Sequence, residues 1–130
     1  LKKKIIYKIT VNKYLKIKKK KVFIKFKKKD GSPDGMTVDK FKNLWVCHFG
    51  SACISVFNNK AKKIHKFSFP AKNITNCTFG GLKNRDLYVT SALKGLKKND
   101  IKKYNLSGSF FKIKTNITGI ISKSYRPKIY

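Results

Sequence analysis

Glutamate is absent from this chain of 130 residues, and aspartate supplies all five of its acidic side chains. They are opposed by 33 lysine and arginine residues, which give a formal net charge of +28 at pH 7. Arginine is also scarce, since Arg85 and Arg126 are its only occurrences. Proteins that read DNA bases use the planar guanidinium group of arginine, so this composition argues against sequence-specific nucleic-acid recognition. Lysine-mediated binding of a polyanion or a membrane surface stays open as an alternative.

Long apolar runs are missing as well. No segment approaches the roughly 18 apolar residues that a membrane-spanning helix needs. The basic N-terminal segment has neither the apolar core nor the cleavage site of a signal peptide. We therefore predict no membrane span and a cytoplasmic location. The chain begins with Leu1 rather than methionine, from which we expect either processing or, more simply, a missing N-terminus.

The few cysteine and histidine residues form no recognisable zinc pattern. Cys47, Cys53 and Cys77 are odd in number, and no two of them are spaced as in a Cys-x-x-Cys motif. His48 and His65 do not complete such a pattern. The sequence predicts buried, reduced thiols.

Short strands separated by turns dominate the rest of the pattern. Aromatic and β-branched residues alternate with polar ones in seven segments: IIYKITV, KVFIKF, NLWVCHF, CISVFNN, KIHKFSFP, DLYVTSA and SFFKIKTNI. Turn signals such as Asp30-Gly31 and Gly80-Gly81 lie between them. The segment 93–106 could hold one helical turn. We predict an all-β chain.

A repeat of about 40–45 residues runs through these strands, which is the length of one β-propeller blade. Pro33-Asp34-Gly35 aligns with Thr75-Asn76-Cys77, and Leu44-Trp45-Val46 aligns with Leu87-Tyr88-Val89. We therefore expect Asp34 and Asn76 at equivalent positions, where the innermost strands of neighbouring blades begin. The aligned aromatic residues, Trp45 and Tyr88, are expected to pack between blades. The chain holds about two and a half to three blades, fewer than a closed ring requires.

The motif series PDGMTVDKFKNLWVCHFG, FP, TNCTFGG, LYVTSA and GSFFKI resembles the regucalcin (senescence marker protein) and gluconolactonase family. These segments occur in that family in the same order, near the C-terminal end. The resemblance implies a six-bladed β-propeller whose channel holds one divalent metal ion. It also implies that residues 1–130 are the C-terminal portion of a single propeller domain whose N-terminal blades are missing.

The resemblance further implies that Asp34 is a metal-binding carboxylate and a candidate catalytic base, with calcium, zinc or manganese as its metal. The family's other protein ligands, a glutamate and an asparagine, come from earlier blades and match no residue here. Asn76 is a candidate for lining the pocket. The expected activity is hydrolysis of a small-molecule sugar lactone to an aldonic acid, with this chain inactive alone. A non-enzymatic binding platform remains an alternative.

Local turn chemistry offers a simpler interpretation for several of these residues. Asp34-Gly35 is a common turn-forming pair. In the metal-site interpretation, Gly35 allows a sharp bend and Pro33 stiffens the approach, so that the carboxylate points into the channel. Asn76 can form a side-chain-to-backbone turn bond equally well. Asp39 is expected to form the turn after the first strand. His48 is expected to face away from Trp45 and to have no catalytic part.

Overall fold

A computed structural model describes residues 4–121 of the chain. Nine β-strands and one short α-helix make up most of this part. The helix, α1, covers Lys98–Lys103. The strands are β1 Ile5–Val11, β2 Ile17–Lys25, β3 Ser32–Val38, β4 Leu44–Phe49, β5 Cys53–Phe57, β6 Lys63–Ser68, β7 Asn73–Gly80, β8 Asp86–Ala92 and β9 Phe110–Lys114. The prediction of an all-β chain with a single helical turn within 93–106 is confirmed.

The strands form three antiparallel sheets that follow the order of the chain. The first is the hairpin β1-β2, the second is β3-β4-β5-β6, and the third is β7-β8-β9. Within each sheet, strands that are consecutive in the chain pair with each other, so the second and third sheets are up-and-down meanders. A meander of four short strands has the architecture of one propeller blade. Within residues 4–121, no helix is long and apolar enough to cross a membrane.

One turn conformation connects strands at three places in these sheets. It begins at Asn12, Asp39 and Asn58, and in each case the side-chain oxygen accepts backbone N–H bonds from the residues two and four positions later. These bonds satisfy N–H groups that the sheets leave unpaired. The residue three positions after each turn start has a positive φ, and none of the three is glycine: Leu15, Lys42 and Ala61.

The second sheet is buried on both faces, and β4 shows this most clearly. On one face, Trp45 and Cys47 belong to an apolar cluster that reaches Ile74 and Val89 of the third sheet. On the other face, Val46 packs with the hairpin residues Ile6 and Ile24. Because both faces are covered, β4 is a nearly continuous run of apolar residues.

Trp45 is the largest side chain between the second and third sheets. Its indole ring stacks on Phe67 at 5.3 Å between ring centroids and meets the edge of Phe79 at 5.2 Å. The expected position between blades is therefore confirmed for Trp45. Tyr88 is only partly buried and stacks on Phe110 of its own sheet at 5.7 Å.

Candidate functional site

Strand β3 carries a β-bulge at the segment that the sequence analysis singled out. Pro33 lies opposite His48 and Met36 lies opposite Val46, so two residues, Asp34 and Gly35, fill the space opposite a single residue of β4. Bulges of this kind bend a strand and redirect a side chain, and they are common beside functional sites. The Asp34 side chain is exposed at this bend.

Gly35 is needed because β3 approaches β7 very closely. A Cβ atom at Gly35 would lie 2.6 Å from the carbonyl oxygen of Thr75 and would overlap the side-chain amide of Asn76. Its φ angle is not in the positive range that favours glycine. The residue at this bend is therefore glycine because the two strands are in close contact here, and not because its φ angle is positive.

Strand β7 has a bulge at the equivalent place, and its register corrects the sequence alignment by one residue. Thr37 pairs with Trp45, and Thr78 pairs with Tyr88, so Thr37 and Thr78 are counterparts. Counting back along each strand from these threonines makes Gly35 the counterpart of Asn76, and Asp34 the counterpart of Thr75. The expectation that Asp34 and Asn76 are equivalent is wrong. The turns after the two strands differ in length, and the sequence alignment did not place this difference correctly.

Asn76 nevertheless lies beside the bulge of β3, because Gly35 packs against it. Its side-chain Oδ1 accepts a hydrogen bond of 2.9 Å from the backbone N–H of Cys77. The remaining side-chain donor of Asn76 is exposed. The structure thus brings Asp34 and Asn76 to adjoining strands, with the amide oxygen of Asn76 engaged by its own backbone.

The Asp34 carboxylate is without an ion-pair partner in residues 4–121, where the ion pairs are Lys72–Asp100 and Lys112–Asp86. It lies close enough to Cys47 to influence that thiol. The pKa of Cys47 is raised by its hydrogen bond to Cys77, by burial, and by nearby negative charge that includes Asp34. Cys47 itself is buried, whereas the Asp34 carboxylate is exposed and open to a ligand from solvent.

The cysteines are buried and unbridged, which confirms the prediction of buried, reduced thiols. Within the part of the chain that the structure describes, no group of three or more His, Cys, Asp or Glu side chains is placed to hold a metal ion. One carboxylate oxygen donor, that of Asp34, is present at the bulge, and a hard divalent cation accepts a donor of that kind.

Asp39 lies at the opposite end of β3, where it organises a buried turn. Its carboxylate accepts hydrogen bonds from the backbone N–H groups of Phe41 and Asn43, from the Asn43 amide, and from Trp45 Nε1. The predicted turn role is confirmed. The sequence pattern did not predict the bond to Trp45, which depends on the packing of the turn against the indole ring.

His48 faces away from Trp45, toward the hairpin, as expected from strand alternation. Its ring is buried and meets the edge of Phe26 at 5.4 Å between centroids. It lies on the face of β4 opposite to Cys47, and its Nδ1 is 2.6 Å from the carbonyl oxygen of Asp30. The structure therefore does not join His48 to the bulge site.

Comparison with solved structures defines the class of fold. The crystal structure of a calcium-binding protein, regucalcin, from Agrobacterium tumefaciens superimposes with a TM-score of 0.87 at 23% sequence identity, covering 97% of this chain and 43% of that chain. The three sheets are accordingly successive blades of a β-propeller, of which this chain forms part, and the fold-class prediction is confirmed.

The chain belongs to the SMP-30/gluconolactonase/LRE-like family, whose model matches residues 2–93. Regucalcin of Danio rerio is 36% identical over 107 residues, which are 82% of this chain and 35% of the relative. A Bacillus subtilis (strain 168) protein with the provisional name sugar lactone lactonase YvrE is 36% identical over 88 residues, 67% of this chain and 30% of the relative. The chain thus spans about a third of the length of these curated relatives.

Proposed function

We propose that this chain forms part of a metal-dependent hydrolase that opens sugar lactones to aldonic acids, with Asp34 as its metal-binding carboxylate. The observation that carries the proposal is an exposed carboxylate without an ion-pair partner in residues 4–121, placed on a bulge of a blade's first strand. The descriptions of the matched family and of the Bacillus relative support the substrate class.

Carboxylate oxygen is the donor that calcium prefers, and manganese and zinc accept it too. A divalent cation bound there would polarise the lactone carbonyl and lower the pKa of a coordinated water. Asp34 would both hold that cation and take up the proton of the attacking water. The packing of Gly35 on β7 holds the bulge in place, and Asn76 would line the pocket next to it.

We expect this activity to require more of the propeller than residues 1–130, which we assign to its C-terminal portion. The 130-residue chain alone should bind divalent metal weakly and show no lactonase activity, whereas a protein extended upstream should show both. The partner proposed is a small sugar lactone, with no sequence-specific nucleic acid. Cytoplasmic location remains a prediction.

The test compares Asp34→Ala and Asp34→Asn in the extended protein with Asp100→Asn, which also removes one carboxylate charge but lies on α1. Lactone hydrolysis and metal binding are measured for each. Loss of both in the Asp34 variants, with the Asp100 variant unaffected, supports the proposal. Near-normal turnover after Asp34→Ala would show that the assignment is wrong.

A calcium-binding platform without hydrolysis is the second candidate. The description of the Agrobacterium protein as calcium-binding favours it. The same experiment separates the two functions, because a platform would bind metal through Asp34 and leave every lactone intact.

A further inference from the structure

A polar cavity lies on the face of the four-stranded sheet that packs against the hairpin. It has a volume of about 280 Å3 and lies between the turn Lys28–Asp30 and strands β4, β5 and β6. The register places His48 beside Cys53, and Ser55 beside Lys66, so these side chains share one face of the sheet. The cavity is separate from the Asp34 carboxylate, which does not line it.

Two buried polar side chains line this cavity without a hydrogen-bond partner in the described residues. They are His48, 1% exposed, whose Nε2 is unpaired, and Ser55, 0% exposed, whose Oγ is unpaired. Buried polar atoms are almost always paired, so two such side chains lining one cavity favour a polar occupant there.

The hydrogen bond to Asp30 determines what His48 can accept from that occupant. Nδ1 lies 2.6 Å from the Asp30 carbonyl oxygen and must donate its proton to it. Burial lowers the pKa of His48, the hydrogen bond to Asp30 and the charge of Asp30 oppose this in part, and nearby Lys63 and Lys66 add to the lowering. The ring is therefore neutral near pH 7, and Nε2 presents a lone pair that needs a hydrogen-bond donor.

Positive charge surrounds the same space. Lys29, Lys63 and Lys66 line the cavity, against one carboxylate, that of Asp30. That carboxylate already accepts a hydrogen bond of 2.8 Å from the backbone N–H of Lys27. The cavity therefore favours an anion that also carries a hydroxyl group, because the lysines and Ser55 supply donors while His48 supplies an acceptor.

We propose that this cavity binds inorganic hydrogen phosphate. Its charged oxygens would accept hydrogen bonds from Lys66, Lys63 and Ser55, and its P–OH group would donate to His48 Nε2. The inference does not depend on the lactonase proposal, and the two sites can be tested separately.

The experiment titrates the 130-residue chain with sodium phosphate at pH 7.5 by calorimetry, with ionic strength held constant by chloride. Sulfate and methyl phosphate are the comparison ligands. At this pH both lack the hydroxyl proton, because sulfate is fully ionised and a phosphate monoester loses its second proton at about pH 6. We expect phosphate to bind about tenfold more tightly than either, since each of the others leaves His48 Nε2 without a donor. The 15N resonance of His48 Nε2 should shift with phosphate alone.

Lys66→Gln should weaken phosphate binding about tenfold through loss of a charge-assisted hydrogen bond. Lys62→Gln is the matched control, because Lys62 is exposed near the same strand and does not line the cavity. Ser55→Ala should also weaken binding, and the two lysine variants keep the test valid if that buried variant fails to fold. The proposal is overturned if both lysine variants weaken binding equally, if sulfate or methyl phosphate binds as tightly as phosphate, or if the His48 resonance does not move.

Discussion

Trp45 and Asp39 are joined by a hydrogen bond of 3.0 Å between the indole Nε1 and the carboxylate Oδ2. Trp45 is 1% exposed and Asp39 is 0% exposed. The bond ties the turn after β3 to the aromatic residue that fills the space between two sheets. A turn residue is thereby linked to the packing of neighbouring blades.

Asp39→Ala should lower the free energy of unfolding by about 2–4 kcal/mol, because it leaves the buried indole N–H and the turn N–H groups without an acceptor. The matched control is Asn58→Ala, which removes the same two turn bonds but no bond to an aromatic ring. We expect the control to lose about 1 kcal/mol in denaturant unfolding. Equal losses would show that the bonds from Trp45 and from the Asn43 amide contribute nothing.

Lys42→Gly should stabilise the protein. Lys42 has a φ of 64°, a left-handed conformation that disfavours residues with a Cβ atom by about 1–2 kcal/mol. Glycine removes this penalty but loses more entropy on folding, so the net gain should be about 0.5–1 kcal/mol. Lys40→Gly, in the same turn but without a positive φ, should destabilise. Thermal unfolding of both variants decides the matter, and a loss of stability in Lys42→Gly would contradict the argument.

Gly35→Ala should destabilise by about 2 kcal/mol or more, because its methyl group would meet the Thr75 backbone. Gly80→Ala serves as comparison, since a Cβ atom there would lie 3.1 Å from the Tyr88 ring, a side chain that can move. Denaturant unfolding should rank Gly35→Ala as the more damaging. In the extended protein it should also weaken metal binding by displacing Asp34.

Stability should fall as pH is lowered from about 7.5 to about 5.5, because of His48. Burial lowers its pKa, the hydrogen bond to Asp30 opposes this, and Lys63 and Lys66 add to the lowering. The unfolded chain, with histidine near its ordinary pKa of about 6.5, therefore binds more protons than the folded one as pH falls. His48 contributes its stability above that pH and loses it as pH approaches the lower folded pKa.

The measurement is urea unfolding at several pH values, compared with His48→Gln, which should show a shallower slope in this range. An NMR titration of the His48 ring gives an independent check that does not need the variant. A His48 pKa at or above 6.5 in the folded protein would refute the prediction.

Sequence pattern predicted seven of the nine strands directly, because alternation and turn residues are local properties, whereas β3 and β7 were expected only from the repeat. β1 and β8 coincide with the predicted segments IIYKITV and DLYVTSA, while β2 begins earlier than KVFIKF, at Ile17. The difference at β2 arises because exposed lysines carry little strand signal, yet pairing with β1 extends the strand through them.

The candidate site was less predictable. The PDG motif led to Asp34, but the sequence did not reveal why Gly35 must be glycine or which residue of β7 corresponds to it. Those facts depend on the distance between two backbones that are far apart in the chain. The cavity at His48 and Ser55 was equally hidden, since neither residue belongs to a recognisable motif.

By itself, then, the sequence determined the all-β character, the repeat and the family, because these depend on residue order along the chain. Tertiary structure alone decided that β3 and β7 touch at Gly35, that Asp39 is buried under Trp45, and that His48 and Ser55 face one cavity. Those relationships arise when sheets pack face to face, and packing brings together residues that no local pattern connects.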